Sequence, residues 1–511
     1  SVVMEVQPGT YEEQVRIPQI EGTLPNQTVT FYSQTRDSTD VLLTFGARNE
    51  THNYTLGLEG ADHFIFEHMS LHSTDSTYNN TVVLKDSSQY NAFRNNYLEG
   101  YHIKSADANH SLFYIPGKDN LYTTIMNSRF LNGGYSINKD GSGIDTLLMH
   151  GNHLIRPFHG IRINHSLSRV TGNQIILNDS LPGSERQGLH ASAPTFFANN
   201  FVSIRNAAQS YGIYNTTDTI HVYHNTIHLY GKDSAATAAV YFINQQASLY
   251  NNLIINNTGG YLYNIANTID TSLLHSDYNG FFSDHPEPFD NRRKDQWLST
   301  YGRDEHSFFH PVDFASDTNL HVWDPYPNNS GTPLAEVITD IDGESRSSVH
   351  PDIGADEFGF PDPLSGTYTI DSTGGDFISF SEAVDSMKAY GISGDVIFEV
   401  ADGVYNDQVE VPEIPMASEN NTATFRSQAG DSTQVTLQYE ASPDKPYTIK
   451  LNGADYISFE HMTLAGTNDS LSRVVLLEGG ACHNRLDNNI ITAPGQMGSL
   501  VYSSSSEADS A

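Results

Sequence analysis

Phe93-Arg94-Asn95-Asn96-Tyr97-Leu98, Met149-His150-Gly151-Asn152-His153-Leu154 and Val222-Tyr223-His224-Asn225-Thr226-Ile227 are three instances of one six-residue pattern. An apolar residue is followed by two spacers, an asparagine, one further residue and a second apolar residue. Between Phe93 and Ile254 the asparagine slot is filled by Asn96, Asn152, Asn173, Asn200, Asn225 and Asn252, with Ser128 standing in once. Successive slots lie 32, 24, 21, 27, 25 and 27 residues apart. A period of about 20–50 residues marks a solenoid, a propeller or an array.

Two details decide among these. The flanking apolar residues are five apart, so on a straight strand they would face opposite sides. They share a core only if the chain bends between them, and asparagine tolerates the left-handed kink that such a bend needs. The segments between bends alternate apolar and polar residues as strands do, as in Ile220, Val222, Ile227 and Leu229. Strand, asparagine bend and strand, once per coil, describes an all-β parallel β-helix. Stacked coils then bring the asparagines into a ladder of amides. That role is architectural rather than catalytic.

A longer repeat runs through the chain. Gly9, Tyr11, Gln14, Val15, Pro18 and Ile20 recur as Gly403, Tyr405, Gln408, Val409, Pro412 and Ile414. Phe66-Glu67-His68-Met69 recurs as Phe459-Glu460-His461-Met462, and Asn96 as Asn489. The spacing divides the chain into a first β-helix module at 1–358, a linker with the start of a second module at 359–378, and the capping helix and first coils of that module at 379–511. We expect the chain to be a window on a longer tandem array. The capping box Ser379-Phe380-Ser381-Glu382 opens a predicted helix from Phe380 to Tyr390 that stops at Gly391. Its face of Phe380, Ala383, Val384 and Met387 suits the plug of a solenoid end. Pro361, Pro363 and Gly366 suggest a short, stiff linker. A shorter helix is expected near Asp295 to Tyr301 with Trp297 inward, and late strands between Phe314 and Val322.

The 511 residues carry a net charge of −35. Nucleic acid and anionic membrane surfaces are poor partners for such a chain. No apolar run approaches membrane-spanning length, and membrane insertion is not expected. The single cysteine, Cys482, excludes an internal disulfide. It reads as a small core filler rather than a reactive thiol.

The closing run Asp340-Ile341-Asp342-Gly343, Arg346 and Pro351-Asp352-Ile353-Gly354-Ala355-Asp356-Glu357-Phe358 resembles the C-terminal signature of secreted right-handed parallel β-helix proteins with the pectate-lyase-like fold. Gly374-Gly375-Asp376-Phe377, Phe380 and Glu382-Ala383 resemble their N-terminal cap. Such modules recur in very large secreted surface proteins of gliding bacteria. The resemblance implies an extracellular or cell-surface location and a structural or adhesive role in a filament or appendage. Its partners would be neighbouring modules of the same chain, further copies in a filament, or surface glycans.

Enzymes of this fold that act on polysaccharides need a base with carboxylates or a calcium ion along one outer face. His150, His153, Arg156, His159, Arg162 and His165 are the best cluster, and Gly160-Ile161-Arg162-Ile163 faintly resembles a polygalacturonase segment. The paired aspartates and the His-Gly motif of those hydrolases do not precede it, and the cluster reads as ordinary surface residues rather than a catalytic site. No catalytic or metal residue is assigned, and no cofactor is expected. Asp340, Asp342, Asp352 and Asp356 offer hard oxygen ligands for calcium, although Asp-Gly turns need no metal. Tyr211, Tyr214, Tyr223 and Tyr230 offer rings for stacking on sugars, or simply suit pleated surfaces. The sequons at Asn26, Asn53 and Asn215 follow from composition. A non-enzymatic structural module is favoured. A polysaccharide lyase or hydrolase and a glycan-binding module without turnover are the alternatives.

Overall fold

The computed structural model describes residues 1–504 except 104–106, 118, 179–184, 207–208, 217–218, 233, 235, 244–245, 266–272, 471–472 and 495–498; the side chains at 142–145, 165, 166 and 206 are also undescribed. The chain divides into two compact units: Ser1–Trp323 with Pro327–Phe358, and Asp324–Tyr326 with Gly359–Ala511.

Three strands make one coil. Thr195–Ala198, Phe201–Asn206 and Gln209–Asn215 are followed by Ile220–Tyr223, which pairs in parallel with the first of them. Repetition of this path gives three faces, here numbered one to three in that order. Each apolar residue of the sequence motif falls on its counterpart one coil away. Phe197, Val222 and Leu249 are in register on face one, and Val202, Ile227 and Ile254 on face two. Face two is a sheet of twelve strands from Gly9–Glu12 to Phe308–Phe309. Faces one and three merge into one sheet because Tyr135–His150 and His159–Thr171 run round the corner between them. The fold is a right-handed parallel β-helix.

The bend differs from its expected form. The left-handed residue precedes the ladder asparagine. Asn95, Asn127, Gly151, Gly172, Asn199, His224, Asn251 and Tyr278 have φ between 47° and 66°. The ladder residues turn inward and are buried. Backbone bonds between coils continue on either side of the ladder residue, and the amides supply the missing pair between them. Oδ1 of Asn225 accepts the backbone N–H of Asn200 at 3.0 Å, and Nδ2 of Asn225 donates to the carbonyl of Phe197 at 2.9 Å. The same pair of bonds recurs at Asn173, Asn200, Asn252 and Asn279. Amide-to-amide bonds of 2.9–3.0 Å link Asn152 through Asn279 in one column. Asn96 sits above Ser128, whose hydroxyl accepts its N–H at 3.1 Å.

The second unit repeats the first strand for strand over its shared length. Val29–Ser33, Val41–Phe45 and Leu56–Glu59 have counterparts in Ala423–Ser427, Val435–Tyr439 and Ile449–Asn452. Asn489 accepts the N–H of Met462 and donates to Phe459, as Asn96 does to Met69 and Phe66. Stacked phenylalanines fill both cores: Phe31, Phe66 and Phe93 in one, Phe398, Phe425 and Phe459 in the other.

Two helices form where the sequence placed them. Helix α1, Lys294–Tyr301, buries Trp297 against Phe289 and Tyr263, and Trp297 donates to the carboxylate of Asp304 at 2.9 Å. Helix α2, Phe380–Tyr390, is capped by Ser379 and buries Phe380, Ala383, Val384 and Met387. The stretch read as a linker contains a strand, Leu364–Ile370, which pairs with Ile392–Val400. Extended backbone on either side of Gly366 finds a partner strand there, so stiffness comes from pairing rather than proline. Cys482 is exposed rather than a core filler. It lies in a corner where its N–H bonds Asp455, so its side chain faces outward.

The Leu364–Ile370 strand and α2 change the surroundings of equivalent residues. Val396 and Phe398 are 0 % exposed, whereas Val2 and Met4, at matching positions of the first unit, are 50 % and 44 % exposed.

Two predictions follow from this packing. Asn200→Ala orphans a buried N–H and a buried C=O and lowers stability by about 2–4 kcal/mol in urea unfolding, whereas half-buried Asn489→Ala costs under about 1 kcal/mol because water replaces the amide. Joining a copy of residues 364–394 ahead of Ser1 covers Val2 and Met4, and raises the calorimetric Tm of the first unit by about 2 °C or more.

Candidate functional site

A coil closes in roughly two dozen residues, so neighbours in sequence spread round its circumference, while residues one coil apart align. The six-residue His/Arg cluster therefore disperses. His150 ends a face-one strand and bonds Thr171 at 3.0 Å. His153 lies on face two, half-buried. Arg156 occupies a left-handed turn. His159 and Arg162 stand on face three. The side chain of His165 lies outside the described residues.

Register instead assembles a strip on face three, buried at Asn138 and partly exposed at its other positions, that the sequence reading missed. Tyr114, Asn138, Arg162, His190, Tyr214 and Tyr241 occupy one position on successive coils. Asp140 and Asn164 occupy the position two residues along. The Arg162 guanidinium lies 3.5 Å from Asp140 and 6.0 Å from the Tyr135 ring centre. Asn164 donates to Asp140 at 3.0 Å. Tyr214 and Tyr241 stack at 4.8 Å, with Tyr211 tilted against both. Tyr135 stacks on His159 at 5.1 Å. The signal that would have found this strip is alignment by coil rather than by sequence neighbourhood.

The strip's chemistry suits contact more than proton transfer. Burial pushes His159 down to about 3 and His190 down to about 4, with Arg162 adding to both shifts. Both imidazoles are neutral near pH 7 and are weak bases. Asp140 offsets the charge of Arg162. A general base works best when its pKa lies near the operating pH, and neither histidine meets that condition. The rings of Tyr214 and Tyr241 are partly exposed, while Tyr211 and Asn138 are buried.

The four sequence-predicted tyrosines do not form one platform. Tyr211 and Tyr214 share face three, Tyr223 bonds His221 on face one, and Tyr230 stacks on His228 on face two.

The closing run is a strap along the solenoid, not a lid on its end. Gly354 N–H bonds the Asn251 carbonyl, Ala355 N–H bonds the Thr226 hydroxyl, and Asn251 clasps both polar groups of Thr332. Gly354 has φ of 115°, and a Cβ there would come within 3.0 Å of the Thr226 hydroxyl. Arg346 is buried, donating to Asn199 Oδ1 at 2.9 Å, to the Gly354 carbonyl at 3.0 Å and to Glu357 at 3.1 Å. Among the four aspartates weighed for calcium, two are occupied by backbone. Asp340 accepts the N–H groups of Asp342, Glu344 and Glu357, and Asp352 those of Asn329 and Phe358. These are turn and strap contacts, as the sequence's Asp-Gly pairs suggest.

Neither a protein-family model nor a curated protein sequence matches the chain. Among solved structures, it is similar to the PL6-family alginate lyase AlyGC at 13% identity, covering 93% of this chain and 70% of that one, with a TM-score of 0.30. It is similar to the pectate lyase Pel9A at 13% identity, covering 70% of this chain and 88% of that one, with a TM-score of 0.41. Likeness at this level concerns the course of the chain and carries no argument about activity.

The depressed histidines set a pH dependence. His159, His190 and, on face two, His228 (also lowered to about 4 by burial) titrate above 6 when unfolded. Their stabilising contribution is complete above pH 6.5 and is lost as pH falls toward their folded values. Each removes up to about 1.4 kcal/mol of stability per pH unit in that window. His190→Gln should therefore flatten the decline in urea stability between pH 7 and pH 5.

Proposed function

We propose that the protein is a non-enzymatic structural β-helix module from a tandem array, serving in an extracellular adhesin, filament or surface appendage. One observation carries this reading: the long sequence repeat folds twice into the same coil sequence, each copy with its own core. Repetition of complete folding units lengthens an assembly without altering its surface chemistry. The ladder asparagines and stacked phenylalanines supply stiffness, and the strap secures one corner of the first unit. The dispersed His/Arg cluster also fits this reading, since burial makes His159 and His190 weak bases. Surface exposure on intact source cells is expected: antibodies to the chain should label them without permeabilisation, and external protease should remove the label. Purified chain incubated with alginate or pectate should release no unsaturated sugar ends. Sustained release that Arg162→Ala abolishes would overturn the proposal in favour of a polysaccharide lyase.

Glycan binding without turnover is the second reading, favoured by the partly exposed Tyr214 and Tyr241 stack, which Tyr211 backs from beneath. On a glycan array, a retained ligand should lose about tenfold in affinity, roughly 1.4 kcal/mol, on Tyr214→Ala. Retention unchanged in that variant would place binding elsewhere.

A further inference from the structure

The strap of the first unit brings one imidazole and two carboxylates together. His321 lies on Asn319–Val322, an antiparallel strand of the strap, with its ring edge-on to Phe201 at 4.9 Å. Its Nδ1 faces the side-chain carbonyl of Asn319, to which it donates, leaving Nε2 directed away from that bond. Nε2 lies 2.7 Å from Oδ2 of Asp342, as an ion pair when a proton sits between them. The carboxylate of Asp356 completes the group, and one ligand atom from each of the three residues lies within 4.8 Å of the others. Asp356 is only 8 % exposed, and its carboxylate makes no hydrogen bond among the described residues. Buried carboxylates are normally paired, hydrogen-bonded or bound to metal. Asp340 and Asp352, in the same run, are saturated by backbone N–H groups. Asp356 is not.

We propose that His321, Asp342 and Asp356 bind a divalent transition-metal ion, with Zn²⁺ the best match, and that this ion pins the strap. A metal ion takes the place of the Nε2 proton that otherwise joins His321 to Asp342, and its double charge serves both carboxylates at once. An imidazole among the ligands favours zinc over calcium or magnesium, which take oxygen sets. Bonds of about 2.0–2.1 Å in a tetrahedral site set ligand atoms about 3.3 Å apart. The His321–Asp342 pair therefore opens slightly and the Asp356 carboxylate moves inward, leaving a fourth position for water. The Asn319 bond to Nδ1 is the outer-shell contact that commonly orients a ligating histidine. The ligands come from three points of the strap, 321, 342 and 356, so one ion cross-links two intervening loops. This differs from the four-aspartate calcium site weighed from sequence: it discards Asp340 and Asp352 and adds the histidine.

The test uses the full chain carrying Cys482→Ser, because Asp455, Cys482 and His483 form a second, exposed group of potential ligands. After chelator treatment, zinc is titrated by equilibrium dialysis, and melting is followed with and without metal. The expected result is saturable zinc binding, with the Tm of the first unit raised by roughly 3 °C or more at saturating ion. His321→Gln and Asp356→Asn should each weaken binding by at least about tenfold and abolish that rise. Their circular dichroism in chelator should match the parent. If either misfolds, Asp342→Asn, at an exposed ligand, provides the same reading. Zinc affinity unchanged in these variants would overturn the proposal. So would an equal Tm rise with Mg²⁺, which would mean diffuse screening of the −35 charge. Binding of calcium but not zinc, lost in the same variants, would overturn the ion assignment.

Discussion

A parallel coil must turn corners, and at each ladder corner one backbone N–H and one C=O turn from their neighbouring strands to a side-chain amide. Buried N–H and C=O groups left unpaired there would cost more than a typical hydrogen bond contributes. An amide side chain turned inward resolves this, because it carries an acceptor and a donor about the right distance apart. The column from Asn152 to Asn279 does so coil after coil, with each amide also bonded to the next. The rest of the fold depends on that arrangement. The left-handed residue before each asparagine sets the bend, and the bend places the motif's two apolar residues in the same core.

The outer side of the same corner has a second use. Its left-handed residues project their side chains away from the core, and several of them receive the strap. Asn199 and Asn251 bond strap backbone, and Asn199 also accepts from the buried Arg346. The corner is thus satisfied from within by the ladder and fastened from without by residues more than 80 positions later. The conspicuous Asp, Gly and Arg positions of the closing run have physical roles in that attachment: carboxylates collecting N–H groups, a glycine where Cβ does not fit, and a guanidinium spanning strap and corner.

Chemistry on the outer faces follows a different rule. Side chains meet when they occupy the same position on successive coils, whatever their separation in sequence. Arg162, His190, Tyr214 and Tyr241 become neighbours that way, whereas His150, His153 and Arg156 do not join them. Burial within the strip then depresses the histidines and limits their value as bases, a property that arises from packing and not from residue type.

Sequence alone determined the coil. A period set by an asparagine, an odd spacing of apolar residues and alternation between bends require a β-solenoid, because each is a local condition on backbone geometry. The amphipathic spacing of Phe380, Ala383, Val384 and Met387 was legible for the same reason. Tertiary structure alone decided which surface residues stand together, since variable coil lengths of 21 to 32 residues conceal the register. It also decided that the strap lies along a corner and that His321 meets Asp342 and Asp356, because those contacts depend on where a distant segment returns to the solenoid.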